Sequence, residues 1–270
     1  MSFCAECGAR LASPLAAPYR PFEERETSSI GVESLPPRDL GQLLSETARV
    51  YRENFWLFAG IAVVPEVFFL LATLAPLPAS VLFIIIGVVA SIFAAAASAY
   101  AVRQRYLGRD IDPAASYSRA LSRAVPLIVA LIILSAVLIL CAVLSLILIG
   151  IPLFFFFLVS WFFVDQVIML ENTEAGDAFR RSRALVQGSW WRVFGIGIVY
   201  LVILMALLFI GLIPIGLFSQ VGPSVGEAVS TIWSTLLAPI LHIGATLVYF
   251  DLRVRKEQFN LSQMAAETAA

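Results

Sequence analysis

One stretch decides the fold: Glu171-Asn-Thr-Glu-Ala-Gly-Asp-Ala-Phe-Arg-Arg-Ser-Arg-Ala-Leu-Val-Gln-Gly-Ser-Trp-Trp-Arg-Val-Phe-Gly-Ile-Gly-Ile-Val199. Its first half is typical of a short amphipathic helix, because apolar or small residues recur at helical spacing. This apolar stripe consists of Ala178, Phe179, Ser182, Leu185, Val186 and Trp190. Gly188 ends the helix, a tryptophan pair follows as in an interfacial belt, and an apolar run then begins. The stretch therefore predicts a helix on a membrane surface that leads into a helix crossing the membrane.

The composition of the whole chain indicates that lipid is the solvent for much of it. Of 270 residues, 60% are hydrophobic and 14% are charged, and the mean hydropathy is +0.90. Soluble domains average roughly 45–50% apolar and about 25% charged residues. One soluble core cannot bury this excess. Because residues 1–50 contain no apolar stretch of signal-peptide length, we expect the first spanning helix to act as an uncleaved signal.

A short amphipathic helix followed by two apolar runs occurs three times along the chain. The predicted fold class is all-α integral membrane: six transmembrane helices as three hairpins, each preceded by a cytoplasmic amphipathic interfacial helix. Asp39 and Asp112 are predicted N-caps of the first two amphipathic helices, with Pro113 at the first helical position. The predicted spans are residues 56–76, 80–102, 125–149, 153–170, 193–215 and 225–250, and residues 150–152 are predicted to form a turn. The small residues Ala94–Ala99 favour close helix packing.

The basic residues predict the orientation in the membrane. All 18 Lys and Arg residues lie before the first span, between spans two and three, between spans four and five, or after span six. The three opposite loops contain none of them. Under the positive-inside rule, both termini and the three amphipathic helices are cytoplasmic, and the protein resides in the cytoplasmic (inner) membrane.

The sequence predicts four regions. Residues 1–11 form a half zinc-ribbon knuckle, 12–38 a disordered Pro-rich tether, 39–256 the six-span membrane domain and 257–270 a cytoplasmic tail.

Two thiols of the knuckle are candidate metal ligands. Cys4 and Cys7 have the spacing of one half of a zinc ribbon, but zinc takes about four ligands. The remaining cysteine and the single histidine, Cys141 and His242, both lie in apolar runs. One interpretation is a zinc shared between chains, through self-association or an unknown protein partner. The preferred interpretation is a knuckle without metal.

Three ionisable residues lie inside predicted spans: Glu66, Asp165 and His242. Such groups are costly in a bilayer and rarely face lipid, so each is a candidate for a proton or ligand site. Counting from the cytoplasmic helix ends gives depths at which all three could share one layer in the inner half of the bundle. The alternative, which we prefer, is structural: Glu66 and His242 pair with each other or with backbone groups freed by nearby prolines, while Asp165 caps a turn or reaches the interface.

Clustered arginines beside the cytoplasmic membrane ends predict contact with anionic lipids, at about 1 kcal/mol each. Arg180, Arg181 and Arg183 are the candidates. The same charges are also needed to determine topology, and the two roles are compatible. No glycine-rich phosphate loop, nucleophile motif or catalytic metal spacing occurs in the sequence, and nothing in it supports binding of nucleic acid.

Three segments resemble a family of bacterial and archaeal multi-pass proteins described by similarity to the membrane domain of glycerophosphoryl diester phosphodiesterase, many with an N-terminal zinc ribbon. These segments are Cys4-Ala-Glu-Cys7-Gly8, Ala178–Phe194 and Tyr249–Phe259. The resemblance covers residues 39–260 and implies a helical membrane protein without an assigned substrate. The chain departs from the family in lacking the second cysteine pair. It also has no room for a catalytic barrel of about 250 residues.

The resulting functional hypothesis is a non-enzymatic scaffold of the cytoplasmic membrane that organises lipids or partner proteins, with the knuckle and tether as a docking arm. The alternative is a transporter or lipid-handling permease with a polar intramembrane site around Glu66 and His242. A membrane enzyme is the least favoured hypothesis, because the sequence contains no reactive constellation.

Overall fold

The computed structural model describes residues 35–269. This part of the chain folds into eleven α-helices and one short 3₁₀ helix, without a β-strand. The helices are α1 Leu40–Glu53, α2 Phe55–Leu74, α3 Leu77–Tyr106, α4 Pro113–Leu121, α5 Ala124–Leu144, α6 Gly150–Ser160, α7 Val164–Leu170, α8 Ala175–Val186, α9 Trp190–Ser219, α10 Pro223–Glu257 and α11 Leu261–Ala269. The 3₁₀ helix, Ser145–Ile147, follows α5.

Six helical segments are long and apolar enough to cross a membrane, which confirms the predicted all-helical chain with six apolar spans. They are Phe55–Leu74, Leu77–Tyr106, Ala124–Ile147, Gly150–Leu170, Trp190–Ser219 and Ser224–Glu257. Three of the helices are longer than the sequence predicts. α3 and α9 have 30 residues each and α10 has 35, whereas about 20 cross a bilayer. α10 therefore continues beyond its apolar run into the basic segment that follows it.

The fourth span is two helices, α6 and α7, and not the one continuous helix that the sequence predicts over 153–170. At the break, the hydroxyl of Ser182 on α8 donates to the carbonyl oxygen of Ser160 (3.0 Å). The same hydroxyl accepts from the backbone N–H of Phe163 (3.3 Å). A side chain distant in sequence thus satisfies backbone groups that a continuous helix would pair internally.

The turn between the third and fourth spans lies earlier than residues 150–152, where the sequence predicts it. The chain reverses through the 3₁₀ helix and Leu148, whose φ is 63°. Gly150 to Pro152 form the first turn of α6. Proline fits there because the first residues of a helix need no internal partner for their N–H groups.

The short helices α1, α4 and α8 correspond to the predicted amphipathic helices. The carboxylates of Asp39 and Asp112 accept backbone N–H groups of Gln42 (2.8 Å) and Ala115 (2.7 Å), which confirms both caps. The apolar faces pack on helices of the same chain, chiefly α1 on α10, α4 on α3 and α8 on α7. On α8 the buried face is the predicted stripe: Ala178, Phe179, Ser182, Leu185 and Val186. Protein side chains therefore cover a face that the sequence predicts to lie on lipid.

The ends of the long helices that lie next to the basic residues are called here the arginine-bearing end of the bundle. The hydrophobic core lies in the halves of these helices nearest to that end. Every residue of Ile243–Arg253 in α10 is buried, so α10 is surrounded by protein there. In α3 the fully buried small residues are Ala94, Ala96, Ala97 and Ala99, as their predicted role in close packing requires. Towards the opposite ends, large apolar side chains are exposed, such as Ile132, Phe209 and Ile213 at 61%, 66% and 67%. These are the surfaces for which lipid is the natural solvent.

α1 runs antiparallel along α10. Just before α1, the backbone N–H of Arg38 donates to Asp251 (2.7 Å). Near its other end, the hydroxyl of Tyr51 donates to the carbonyl oxygen of Leu236 (2.9 Å). Both ends of α1 therefore lie on one segment of α10.

Both ends of the described chain pack on this core. Leu35 and Arg38 belong to the predicted tether 12–38, and both contact the membrane domain. In the predicted tail 257–270, Phe259 and Met264 are 2% and 0% exposed, and α11 forms. The predicted knuckle, with Cys4 and Cys7, lies outside the described residues.

Candidate functional site

The first polar group at the arginine-bearing end of the bundle is the Asp251 cluster, comprising Arg38, Arg192, Asp251 and Arg255. The Asp251 side chain is 0% exposed. It accepts hydrogen bonds from the Arg38 N–H (2.7 Å), Arg192 Nη2 (2.9 Å) and Arg255 Nε (2.9 Å). Both guanidinium groups also donate to the Arg38 carbonyl oxygen. One buried carboxylate thus joins the start of α1, the start of α9 and the end of α10.

The second group is the Glu171 cluster: Glu171, Arg181, Tyr249, Arg253, Glu257 and Glu267. Arg181 donates to Glu171 and to Glu257, each at 2.8 Å. The hydrogen bond to Glu257, and after it the one to Glu171, raises the pKa of Arg181 above its ordinary value. Arg253 donates to both carboxylate oxygens of Glu267, at 2.9 and 2.7 Å. Three carboxylates therefore surround two guanidinium groups and hold α8, α10 and α11 together.

The third group is the three-arginine cluster, comprising Arg103, Arg119 and Arg123. Each donates to the segment Leu170–Thr173 between α7 and α8. The acceptors are the Leu170 carbonyl oxygen (3.0 Å), Asn172 Oδ1 (2.8 Å) and the Thr173 carbonyl oxygen (2.6 Å). Arg103 is only 1% exposed. The end of α3, α4 and the start of α5 thus supply three cations around one short segment.

The three arginines predicted to contact anionic lipid occupy different environments. Arg180 is exposed and pairs with Asp177 on the same turn of α8. Arg183 is exposed, and its guanidinium carbon lies 5.8 Å from the centre of the Phe156 ring. Arg181 is bound by the two carboxylates of the Glu171 cluster. Lipid contact therefore remains a prediction, and Arg180 and Arg183 are the more accessible candidates.

The structure pairs Glu66 with Ser234 on α10, and not with His242. The Ser234 hydroxyl donates to Glu66 Oε2 at 2.7 Å. Among the described residues, His242 Nδ1 is buried without a hydrogen-bond partner. Ser234 and His242 are eight residues apart on one helix, about 12 Å along its axis. Counting from helix ends assumes that all helices end at one level, and the extension of α10 to Glu257 breaks that assumption.

Asp165 lies on a separate cavity of about 210 Å³ between α3, α5 and the broken fourth span. Its Oδ2 accepts from Gln166 Nε2 at 3.2 Å. A second cavity, of about 250 Å³, lies between α6, α9 and α10 and is lined by apolar side chains together with Tyr200. Hydrogen bonds join no two of Glu66, Asp165 and His242 in the described part of the chain. Their predicted single layer stays a prediction.

Candidate metal ligands are scattered in residues 35–269. No group of three or more His, Cys, Asp or Glu side chains could hold a metal ion within this range. Cys141 is a buried free thiol. The zinc hypothesis depends on Cys4 and Cys7, outside the described residues, and stays a prediction.

Sequence reasoning did not identify the two carboxylates at the centres of the clusters. A signal for one exists, because Asp251 and Arg255 are four residues apart on a helix, as are Arg253 and Glu257. Glu171 carries no comparable local signal, since Arg181 and Tyr249 reach it from other elements.

Comparison with known proteins gives one family match. A family model described as "Domain of unknown function (DUF7847)" matches residues 70–252. No curated protein and no solved structure matches the chain. These findings do not connect the chain to the membrane domain of glycerophosphoryl diester phosphodiesterase or to a zinc ribbon.

Proposed function

The chain belongs to the DUF7847 family, whose description assigns no activity, and from the geometry of the chain we propose a non-enzymatic membrane scaffold. In this proposal the protein organises lipids or partner proteins in the cytoplasmic membrane.

The observation that carries the proposal is the internal pairing at the arginine-bearing end. The Asp251 and Glu171 clusters join charged side chains from α8, α9, α10 and α11 with the backbone of Arg38 before α1. Buried ion pairs with several hydrogen bonds hold their partners in one arrangement, because breaking one leaves an uncompensated charge. A scaffold requires a surface of fixed geometry, and these ion pairs fix the arrangement of the helices at the arginine-bearing end.

The proposed placement has the arginine-bearing end in the cytoplasm. Every basic residue within residues 35–269 lies in a segment at this end. The spans are proposed to form three hairpins, since α2 packs on α3, α5 on α6 and α9 on α10. We place α1, α4 and α8 near the cytoplasmic headgroups, where their charged faces meet water.

The N-terminal region is proposed as a docking arm. Its Cys4-Ala-Glu-Cys7-Gly8 knuckle would bind a partner or a second copy of the chain, with zinc shared between them if metal is present. The resemblance to multi-pass proteins with N-terminal zinc ribbons supports this part of the proposal.

Lipid organisation can be tested on the full chain extracted in polymer-bounded nanodiscs that retain native lipid. We expect the nanodiscs to be enriched in anionic phospholipid relative to total lipid of the same membranes. Mass spectrometry of the lipids in both samples gives this ratio. A composition equal to the bulk membrane, together with no stoichiometric protein partner, would contradict the scaffold proposal.

A second candidate function, a transporter or lipid-handling permease, is favoured by Glu66, a carboxyl group inside an apolar span. If Glu66 is structural, Glu66→Gln should lower stability only slightly, because the amide oxygen can still accept from Ser234. Hydrogen bonds between membrane helices average about 0.6 kcal/mol. Thermal unfolding in detergent, with Ser234→Ala as the matched variant, should show small and similar shifts.

The same variant separates the two functions. Under the scaffold proposal, Glu66→Gln should complement a strain that lacks the gene as well as the unmodified protein does. A stable, correctly inserted Glu66→Gln protein that fails to complement would instead favour transport, because an amide cannot carry a proton as a carboxyl group can.

A further inference from the structure

The three-arginine cluster lacks the carboxylates that the other two clusters have. Within the described residues, neither Arg103 nor Arg119 has a carboxylate oxygen within 4.0 Å of its guanidinium nitrogens. Arg123 has one, at 3.8 Å on Glu174, whose side chain is 73% exposed. In the Glu171 cluster, by contrast, three carboxylates surround two arginines. The guanidinium groups of the Glu171 cluster are thus neutralised by carboxylates, whereas the three guanidinium groups of the three-arginine cluster have little negative charge near them.

The same cluster has unused hydrogen-bond donors. Arg103 Nε, Arg123 Nε and the Thr173 hydroxyl are buried and have no partner among residues 35–269. A guanidinium group has five N–H donors, and Arg103 uses one of them on the Leu170 carbonyl oxygen. Buried donors and charges without partners are unfavourable, because desolvation is not compensated. An anion with several oxygens would satisfy both the charge and the donors.

The cavity of about 210 Å³ shares helix α5 with this cluster. Leu127, which lines it, lies one helical turn after Arg123, about 6 Å along α5. The rest of the lining is almost wholly apolar, from Ile92, Ala130, Leu134 and Phe162 among others, and Asp165 is its one ionisable residue. The cavity is smaller than the roughly 300–1,000 Å³ of pockets for drug-sized ligands. Its apolar lining suits a segment of one hydrocarbon chain.

We propose that the three-arginine cluster binds the phosphate group of a phospholipid whose acyl chain occupies the cavity between α3, α5 and the fourth span. The guanidinium fork matches phosphate oxygens in pairs, and the charges attract an anion to the arginine-bearing end. The inference rests on the proposed lipid-organising function and names the lipid class. Inorganic phosphate in solution carries the same phosphate oxygens as a phospholipid, but it has no hydrocarbon chain to fill the apolar cavity.

The test compares lipid binding by the unmodified full chain and by the double variant Arg119→Gln/Arg123→Gln, with native mass spectrometry in detergent. Both residues are partly exposed, so the variant avoids the buried Arg103. The matched control, Arg49→Gln/Arg52→Gln, removes the same charge from the exposed face of α1. We expect phosphatidylglycerol to bind the cluster variant about tenfold more weakly or worse, since it loses charge-assisted hydrogen bonds. The control should stay within about twofold of the unmodified chain.

Three ligands separate the sources of the phosphate. Phosphatidylglycerol should bind, diacylglycerol with the same chains should not, and millimolar inorganic phosphate should not displace the lipid. As a second variant, Ala130→Leu fills the cavity from its wall and should weaken lipid binding without changing the arginines.

Three outcomes overturn the inference. Equal phosphatidylglycerol binding by the cluster variant and the unmodified chain would exclude this site. Displacement of the lipid by inorganic phosphate would assign the cluster to a soluble anion. If native nanodiscs of the cluster variant are still enriched in anionic lipid, the site is wrong while the scaffold proposal stands. If those of the unmodified chain show no enrichment and no partner, the scaffold proposal itself fails.

Discussion

Replacing Asp251 by alanine should destabilise the protein by about 3–5 kcal/mol, the usual effect of removing one partner from a buried ion pair. The carboxylate is 0% exposed and accepts three hydrogen bonds. Without it, Arg192 and Arg255 keep only the Arg38 carbonyl oxygen as an acceptor among the described residues, and the Arg38 N–H loses its partner. For a chain of this size we expect the unfolding temperature in detergent to fall by roughly 10 °C.

Two variants make this prediction specific to the cluster. Asp251→Asn should restore only part of the stability, because its amide NH₂ is a donor that would face the donors of Arg192 or Arg255. Asp177→Ala removes an exposed ion pair with Arg180 and should change stability by about 1 kcal/mol or less. Equal unfolding temperatures for Asp251→Ala and Asp177→Ala would show that the Asp251 cluster does not hold the helices together.

Replacing Gly150 by alanine should also destabilise the protein, by about 1–3 kcal/mol or more, the range for forcing extra atoms into a packed site. A Cβ atom at this position would overlap the Cys141 carbonyl oxygen, the Leu144 carbonyl carbon and the Ser145 nitrogen. All three are backbone atoms of the end of α5 and the start of the 3₁₀ helix, so no side-chain rotation can make room. We expect the unfolding temperature to fall by about 5 °C or more.

Gly216→Ala is the matched control, because a Cβ there meets no atom within 4 Å. Gly216 lies inside α9, where alanine is favoured over glycine by about 0.8–1.0 kcal/mol, so this variant should be neutral or stabilising. Unchanged stability of Gly150→Ala would mean that the chain reversal can shift to accommodate a methyl group.

Much of the architecture was predictable from the sequence because the signals are local. Apolar runs of spanning length identify the six spans, since lipid requires about 20 apolar residues in one helix. Asp39 and Asp112 cap helices through N–H groups three residues away, so their role needs no tertiary contact. The buried stripe of α8 follows from helical spacing alone.

The candidate site was only partly predictable. The sequence contains the excess of arginine at one end of the bundle, but it does not reveal which arginines meet carboxylates. Arg181 reaches Glu171 and Glu257, ten and 76 residues away, whereas Arg103 donates to the backbone carbonyl of Leu170. Glu66 likewise pairs with Ser234, 168 residues away. It does not pair with His242, the partner that counting residues from the ends of the predicted spans suggested.

Composition, periodicity and charge asymmetry thus determined the all-helical membrane class, the six spans and the common end of the bundle at which the basic residues lie. These properties can be read from the sequence because burial in lipid and helical hydrogen bonding act on each segment separately. The break at Ser160–Val164 depends on the Ser182 hydroxyl, and the covered face of α1 depends on α10. The three-arginine cluster forms because α3, α4 and α5 end or begin beside Leu170–Thr173. Tertiary structure alone decided these features. The shift of each helix along the bundle axis and its rotation about its own axis select which distant groups meet. Helical periodicity contains no information on this shift or on this rotation relative to other helices.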